Sequence, residues 1–522
     1  MMQLLLNKKI LFDQSGTKRF LSLLVIFFLG FTSGLKAQIS FSAESMALGG
    51  GGTAYLTGYE SLFVNPANLY ISEKNYSYQL SLLQGAYYYD SLLPVDNNFD
   101  RFRDFYNRSS FFNAGDTRTV LDEASREQII ERSFGNHRSS SVFTNRADIY
   151  WIGMKWVRPK RSYAFSLRSR FASQYELGRG YFSGTPLERN NSFHFEQSFH
   201  YRYEALHELS FGFAESFTYL NGLIPGLSEF IVGVAPKVVV PGSYMNADFT
   251  NSYNFVSDGA FWQRNLQYTQ QTTGILSDHA AQFFSSQPSD LPSGNKSFRD
   301  LMQPTGIGVG LDIGITYLIT FGEDLSVLRR QDDPTDQSLR ISFSITDLGA
   351  VYYYNKPFEY QTEPKTISTN TTGSLLQTEF GGAPNEHYNL VEEYGDLLAF
   401  STDSFSEDNF NTLLPTTINA GGLFQYRRMK MMGDLSYSVS ESAFTPKGLT
   451  TYLGLEIRPI RKIPLRAGTR LGSGLSGLYS LGAGFETERF DLNAAIQVKS
   501  RNSNPTSEIL AASLLGIKFY IQ

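Results

Sequence analysis

The stretch Ile307-Gly308-Val309-Gly310-Leu311-Asp312-Ile313-Gly314-Ile315-Thr316-Tyr317 alternates without a break. Its odd positions are all apolar or aromatic, and its even positions are Gly, Asp or Thr. Successive side chains of a strand point to opposite faces, so one face of this segment is greasy throughout and the other small or polar. The pattern recurs where Leu339, Ile341, Phe343 and Ile345 alternate with Arg340, Ser342, Ser344 and Thr346, and again over 479–486 and 490–499. A soluble sandwich also alternates, with its greasy face turned to a core, so alternation alone leaves that fold open. Length points the other way: these runs approach the roughly 9–11 residues of a membrane-crossing strand, against about 5–6 for a mean soluble one. Flanking aromatics such as Tyr150-Trp151 and Trp156 suit girdles at the two membrane surfaces.

Working outward from those strands, the connections fall into two kinds. Tight, charged ones occupy 158–161, 427–430, 458–462 and 488–489, while long polar ones occupy 90–145, 242–305 and 355–415. Their alternation matches a barrel with short turns at one rim and long external loops at the other. The count of candidate strands is about 14, up to 16 if the weak region 248–270 supplies two more. At the end of the chain Leu515, Ile517, Phe519 and Ile521 share one face and Gly516, Lys518 and Tyr520 the other. That last strand is expected to pair with the first and remove the sheet's edges. The fold expected is therefore all-β, a transmembrane antiparallel β-barrel. Within the first long connection, 120–132 has the spacing of a short amphipathic helix on an external loop.

Composition narrows the function. The 522 residues carry 45 Lys plus Arg against 50 Asp plus Glu, a net charge of −5, which argues against a nucleic-acid partner. Aromatics reach 15%, too many for a disordered chain, and the absence of Cys excludes disulfides, thiolate metal sites and thiol catalysis. Lys8, Lys9, Lys18 and Arg19 precede an apolar run over 20–31 and then Leu35-Lys36-Ala37, the pattern of a signal peptide over 1–37. The run is shorter than the roughly 20 residues of a spanning helix.

Catalytic signatures are missing: there is no Gly-x-Ser-x-Gly elbow, no His-Glu-x-x-His and no P-loop. His194, His200 and His207 lie near Glu196, Glu204 and Glu208, but their spacing along strands is too wide for one ion. No catalytic residue, metal site or cofactor is assigned, and the protein is expected not to be an enzyme. The inward faces of the expected strands carry charges of both signs: Arg168, Arg170, Asp312, Arg340, Glu456, Arg466 and Arg470. These line the expected lumen, either as structural ion pairs or as a selectivity lining.

Two motifs carry a family resemblance. Ser45-Met46-Ala47-Leu48-Gly49-Gly50-Gly51-Gly52-Thr53-Ala54, followed by Ser61-Leu62-Phe63-Val64-Asn65-Pro66-Ala67-Asn68-Leu69, resembles the N-terminal signature of the FadL/PorV-like outer-membrane barrel superfamily, which includes the OMPP1/FadL/TodX-type transport proteins. Weaker matches are Gly308 to Gly314, Leu465-Arg466-Ala467-Gly468 and Gly482-x-Gly484-Phe485. The resemblance implies a barrel of about fourteen strands over 73–522 in the outer membrane of a Gram-negative bacterium, with 38–72 as a hatch inside it. Gly49, Gly50, Gly51, Gly52, Asn65, Pro66, Ala67 and Asn68 would form that hatch or gate. Elementary chemistry agrees: four glycines allow positive φ and close packing, and Asn65-Pro66 fixes a bend. An ordinary glycine-rich linker before the first strand is the alternative. Two functions follow from the resemblance. One is a hatch-gated channel for uptake of small hydrophobic molecules, and the other a non-enzymatic PorV-like barrel acting in type IX protein secretion or surface docking. Expected partners are outer-membrane lipid and either a small hydrophobic ligand or a secretion-machinery protein. The aromatic loop residues Phe111-Phe112 and Tyr352-Tyr353-Tyr354 suit either ligand capture or docking.

Overall fold

The computed structural model describes residues 42–89, 127, 130–134, 139–181, 187–189, 192–217, 227–256, 261–277, 302–320, 337–369, 405–445, 447–472, 478–499 and 508–521. The leader expected at 1–37 and the pair Phe111-Phe112 lie outside the described residues.

Fourteen strands close into one antiparallel barrel. In chain order they are β1 (Tyr78–Tyr89), β2 (Ser140–Val157), β3 (Arg161–Gly178), β4 (Phe199–Ser216), β5 (Leu227–Val256), β6 (Gly306–Thr320) and β7 (Gln337–Tyr353). The second half comprises β8 (Thr417–Tyr426), β9 (Met429–Ser438), β10 (Gly448–Ile460), β11 (Ile463–Gly472), β12 (Leu478–Glu486), β13 (Phe490–Lys499) and β14 (Glu508–Ile521). Each pairs with its successor. β14 returns to β1 with Ile521 opposite Tyr78, so the sheet has no free edge around the ring.

Burial separates the two faces along each strand. On β6, Ile307 and Val309 are 53% and 65% exposed, whereas Asp312 and Thr316 are fully buried. On β7, Ile341 and Phe343 point out while Arg340, Ser342 and Ser344 point in. An apolar outside around a polar, charged inside is the reverse of a soluble sandwich and is the arrangement lipid requires. Among the described residues, no helix is long and apolar enough to cross a membrane.

One irregularity matters for the lumen. Beyond Ile345, β7 slips in register against β6 until Leu348. Asp347, at φ 57°, turns inward and is buried, and Leu348 emerges 47% exposed.

The region 248–270 adds no staves to the ring, which fixes the strand number at fourteen. β5 runs for 30 residues and rises past the barrel; its upper part, from Met245, pairs with the strand Phe261–Thr272. That strand pairs in turn with Phe358–Gln361 and Lys365–Thr369. The stretches expected as long polar loops at 242–305 and 355–415 thus hold strands that carry the sheet beyond the barrel at this rim. Aromatic residues from them, Phe249, Tyr268 and Tyr360 among others, pack with Phe199 and Tyr201 in one apolar cluster. Of the helix expected at 120–132, the described part ends in a π turn, Ile130–Phe134, whose Phe134 joins that cluster.

Candidate functional site

Residues 42–72 run inside the barrel and are buried almost throughout. Helix α1 (Ala43–Ala47) starts at Ser42, whose Oγ accepts the Ser45 N–H at 3.2 Å, and Met46 and Ala47 pack against Leu478 and Ala495 of β12 and β13. The chain then reverses at Gly49 and Gly50, whose φ values of 88° and 104° are costly for any other residue. It also touches the wall there. A Cβ on Gly49 would sit 2.6 Å from the carbonyl oxygen of Thr469, and one on Gly468 of β11 would collide with the backbone of Leu48 and Gly49. Gly51 is pressed against Asp434 of β9, whose Oδ2 accepts the N–H groups of Gly52 at 2.6 Å and Thr53 at 2.8 Å.

The second half of the segment is two short 3-10 helices, Tyr59–Phe63 and Pro66–Tyr70. Asn65 is extended, as the following proline demands, and its side chain caps the second helix by accepting the Ala67 N–H at 3.2 Å. The Asn65 amide donates to Thr316 Oγ1 of β6 at 2.9 Å, and Asn68 accepts the Thr316 hydroxyl at 2.7 Å. Ala67 and Pro66 lie against Gly233 of β5, where no side chain would fit. On this side the contact is apolar: Leu62, Phe63 and Leu69 cover Ala164, Ala214, Ile231 and Ala235 on β3, β4 and β5.

The inward charges named from the sequence sort into two networks with Arg470 apart. Near the tight turns, Arg466 reaches Glu456 at 2.7 Å and Glu486 at 2.6 Å, and the Tyr55 hydroxyl of the segment donates to Glu456. Arg340 and Lys430 both hold Glu73, at 2.9 and 2.6 Å. Burial alone would raise the Glu73 pKa, but Lys430 and Arg340 outweigh it and keep the carboxyl well below the usual range. Lys518 of β14 bridges Glu44 and Glu60 of the segment at 2.9 and 2.8 Å. A polar cavity of about 50 Å³ opens among these groups, lined by Glu73, Lys430, Arg458 and Tyr520 among others.

Above the segment, Arg168 and Arg170 of β3 share Glu208 of β4, and Arg170 reaches Asp347 at 2.9 Å. Lys237 of β5 pairs with Asp312 at 2.8 Å and also with Asp347. Three cations meet three carboxylates, all essentially out of water, an arrangement that fixes geometry more than it adds stability. Phe444, from the connection between β9 and β10, closes over them: its ring lies 4.8 Å from the Arg170 guanidinium and packs with Val351, Tyr353 and Leu414. Arg470 belongs to neither network; it is buried over Tyr88 at 5.8 Å, and its Nε and Nη1 lack hydrogen-bond partners.

Sequence reasoning missed Lys237, Asp347, Asp434, Glu73 and Lys430, and named Glu208 only as a neighbour of the histidines. Asp347 did leave a trace: at an outward parity an acid cannot face lipid, so the alternation itself required a bulge near 346–348. The histidines stand apart, His194 on Asn254, His200 on Asp248 and His207 on Ser169. Among the described residues no cluster has the makings of a metal site.

No curated protein matches the chain. Among solved structures it is similar to a TodX deltaS2S3 mutant monoaromatic hydrocarbon channel, with 11% identity, a TM-score of 0.41 and coverage of 92% of this chain and 98% of that one. It is similar to the Ralstonia pickettii toluene transporter TbuX at 10% identity and TM-score 0.40, covering 93% and 99%. A Pseudomonas aeruginosa FadL homologue aligns at 10% identity and TM-score 0.38, covering 94% and 100%. Residues 94–487, from the connection after β1 to the turn after β12, match the family described as "Family of unknown function (DUF5723)", and the chain belongs to that family.

Proposed function

We propose that the protein is an outer-membrane channel for uptake of small hydrophobic molecules, with residues 42–72 as its hatch. The observation that carries this reading is the apolar strip of inner wall on β3, β4 and β5, covered by Leu62, Phe63 and Leu69. Apolar wall residues also meet the segment at Leu423, Met432, Leu478 and Ala495; the strip on β3, β4 and β5 is the part covered by the two 3-10 helices, and it is wall that an apolar solute can wet when they move aside. The other half of the hatch is held by directional bonds from Gly52 and Thr53 to Asp434, which can act as the fixed hinge.

A locking experiment tests this. Leu62 Cγ lies 3.5 Å from where a Cβ on Gly212 would be, so Leu62→Cys with Gly212→Cys places a disulfide in a chain that has no other cysteine. Uptake of a hydrophobic fluorophore into vesicles should fall on oxidation and return on reduction. Equal uptake from the locked and unlocked barrels would overturn the hatch.

A second reading, a PorV-like barrel in type IX secretion or surface docking, draws on the sheet that rises beyond the barrel. It exposes Phe193, and Tyr354, just past β7, is exposed as well. Loss of a cross-linked protein partner on shortening 355–415, with uptake unchanged in the locked barrel, would put this reading first.

A further inference from the structure

The apolar outer band ends at the tight-turn rim in a row of aromatic rings. Trp156 stacks on Tyr163 at 5.5 Å, Tyr163 meets Phe213 at 5.5 Å, and Phe485 meets Phe490 at 5.9 Å. Tyr426, Phe519 and Tyr78 continue the row on the ends of β8, β14 and β1. Aromatic rings of this kind mark the level where hydrocarbon gives way to headgroups.

Immediately beyond them the turns are basic and exposed. Arg158 and Lys160 lie between β2 and β3, Arg161 opens β3, and Arg427 and Arg428 lie between β8 and β9. Arg461 and Lys462 follow between β10 and β11, and Arg489 between β12 and β13. Glu488 is the one acid among the described residues of those four turns. Arg161 also pairs with Glu215, and Arg427 lies over the Tyr426 ring at 5.5 Å, its charge at ring level. The collar is one-sided: the connection 321–336 carries five acids and two arginines in its sequence.

We propose that this arc binds the headgroups of anionic phospholipid in the adjoining leaflet. Long cationic side chains one to three residues outside an aromatic girdle reach the level of the phosphates while their stems stay against the rings. Several such cations on one arc act together, each adding attraction to an anionic surface that decays within a Debye length. The charge complementarity and the position fixed by the rings together select a lipid headgroup over a soluble partner. The surface is separate from the lumen, so its lipid preference is independent of what the barrel admits.

The test uses the full-length protein in vesicles holding equal amounts of phosphatidylglycerol and phosphatidylcholine, with lipids retained after extraction counted by native mass spectrometry. Phosphatidylglycerol should be enriched about tenfold or more over phosphatidylcholine at low salt and lose that enrichment at high salt. A variant carrying Arg427→Gln, Arg428→Gln, Arg461→Gln and Lys462→Gln should fold to the same heat-shifted band and retain both lipids equally. Equal retention by the wild-type barrel at low salt overturns the proposal, as does undiminished enrichment in the variant. The salt arm needs only the wild type, so a variant that fails to fold still leaves a decisive measurement.

Discussion

The carboxylate of Asp434, on β9, accepts the backbone N–H of Gly52 at 2.6 Å, tying the wall to a point of the internal segment 382 positions earlier in the chain. The same oxygen takes the Thr53 N–H. Asp434→Asn keeps an acceptor there, and Asp434→Leu leaves two buried donors unsatisfied at a cost of about 1–3 kcal/mol each. Hydrogen exchange at residues 50–55 should stay slow in the first variant and accelerate at least tenfold in the second. Equal protection in both would remove Asp434 as the tether.

Wall glycines give a steric version of the same test. Gly468→Leu puts a side chain where Leu48 and Gly49 now lie, without altering the lipid face of β11. The barrel should still close, while single-channel conductance rises because the segment no longer seats. Unchanged conductance with a folded barrel would show that the segment tolerates displacement there.

The lipid face is tested by depth. Ile313→Arg, near the middle of β6, should cost about 2–4 kcal/mol, and Ile307→Arg, at its outer end, about 0–1 kcal/mol. Folding yields into vesicles across a urea series would measure both. Equal costs would contradict the placement of β6 across the bilayer.

Much of this architecture is written in the period of the sequence. Ile307 to Tyr317 could be assigned to two faces because lipid accepts only one class of side chain, and that constraint repeats at every second residue. The region 248–270 resisted the same treatment because, above the bilayer, one face packs on Phe199 and Tyr201 and the other need not be apolar. The partners of the inward charges were illegible for a different reason. Arg170, on β3, meets Asp347, on β7, only after the four intervening connections have set the register, and no local pattern encodes that. Arg340 and Glu456 were recognised as inward, yet Glu73, which holds Arg340, sits in a linker with no periodicity.

In the upper network, Asp347 faces both Arg170 and Lys237. Asp347→Asn leaves those buried cations short of a counter-charge and should destabilise the barrel by about 3–5 kcal/mol. The temperature at which the folded band disappears on a detergent gel should fall measurably. An unchanged melting band would mean that water reaches the network.

Acid should release the linker at Glu73. Its pKa is lowered in the folded protein, so its contribution is fully present above the ordinary glutamate value of about 4.3 and is lost as pH falls below that value. Proteolysis of the segment should therefore be constant from pH 7 to about pH 5 and increase below about pH 4. Glu73→Gln should be equally susceptible across the whole range.

The bridge from Glu44 and Glu60 to Lys518 joins the internal segment to the last described strand, the one that also seals against β1. Insertion order follows from that geometry. The internal segment can complete these ion pairs only when β14 arrives, the same strand that closes the ring on β1. Filling and sealing therefore draw on the same strand, and a chain interrupted before Lys518 forfeits both together.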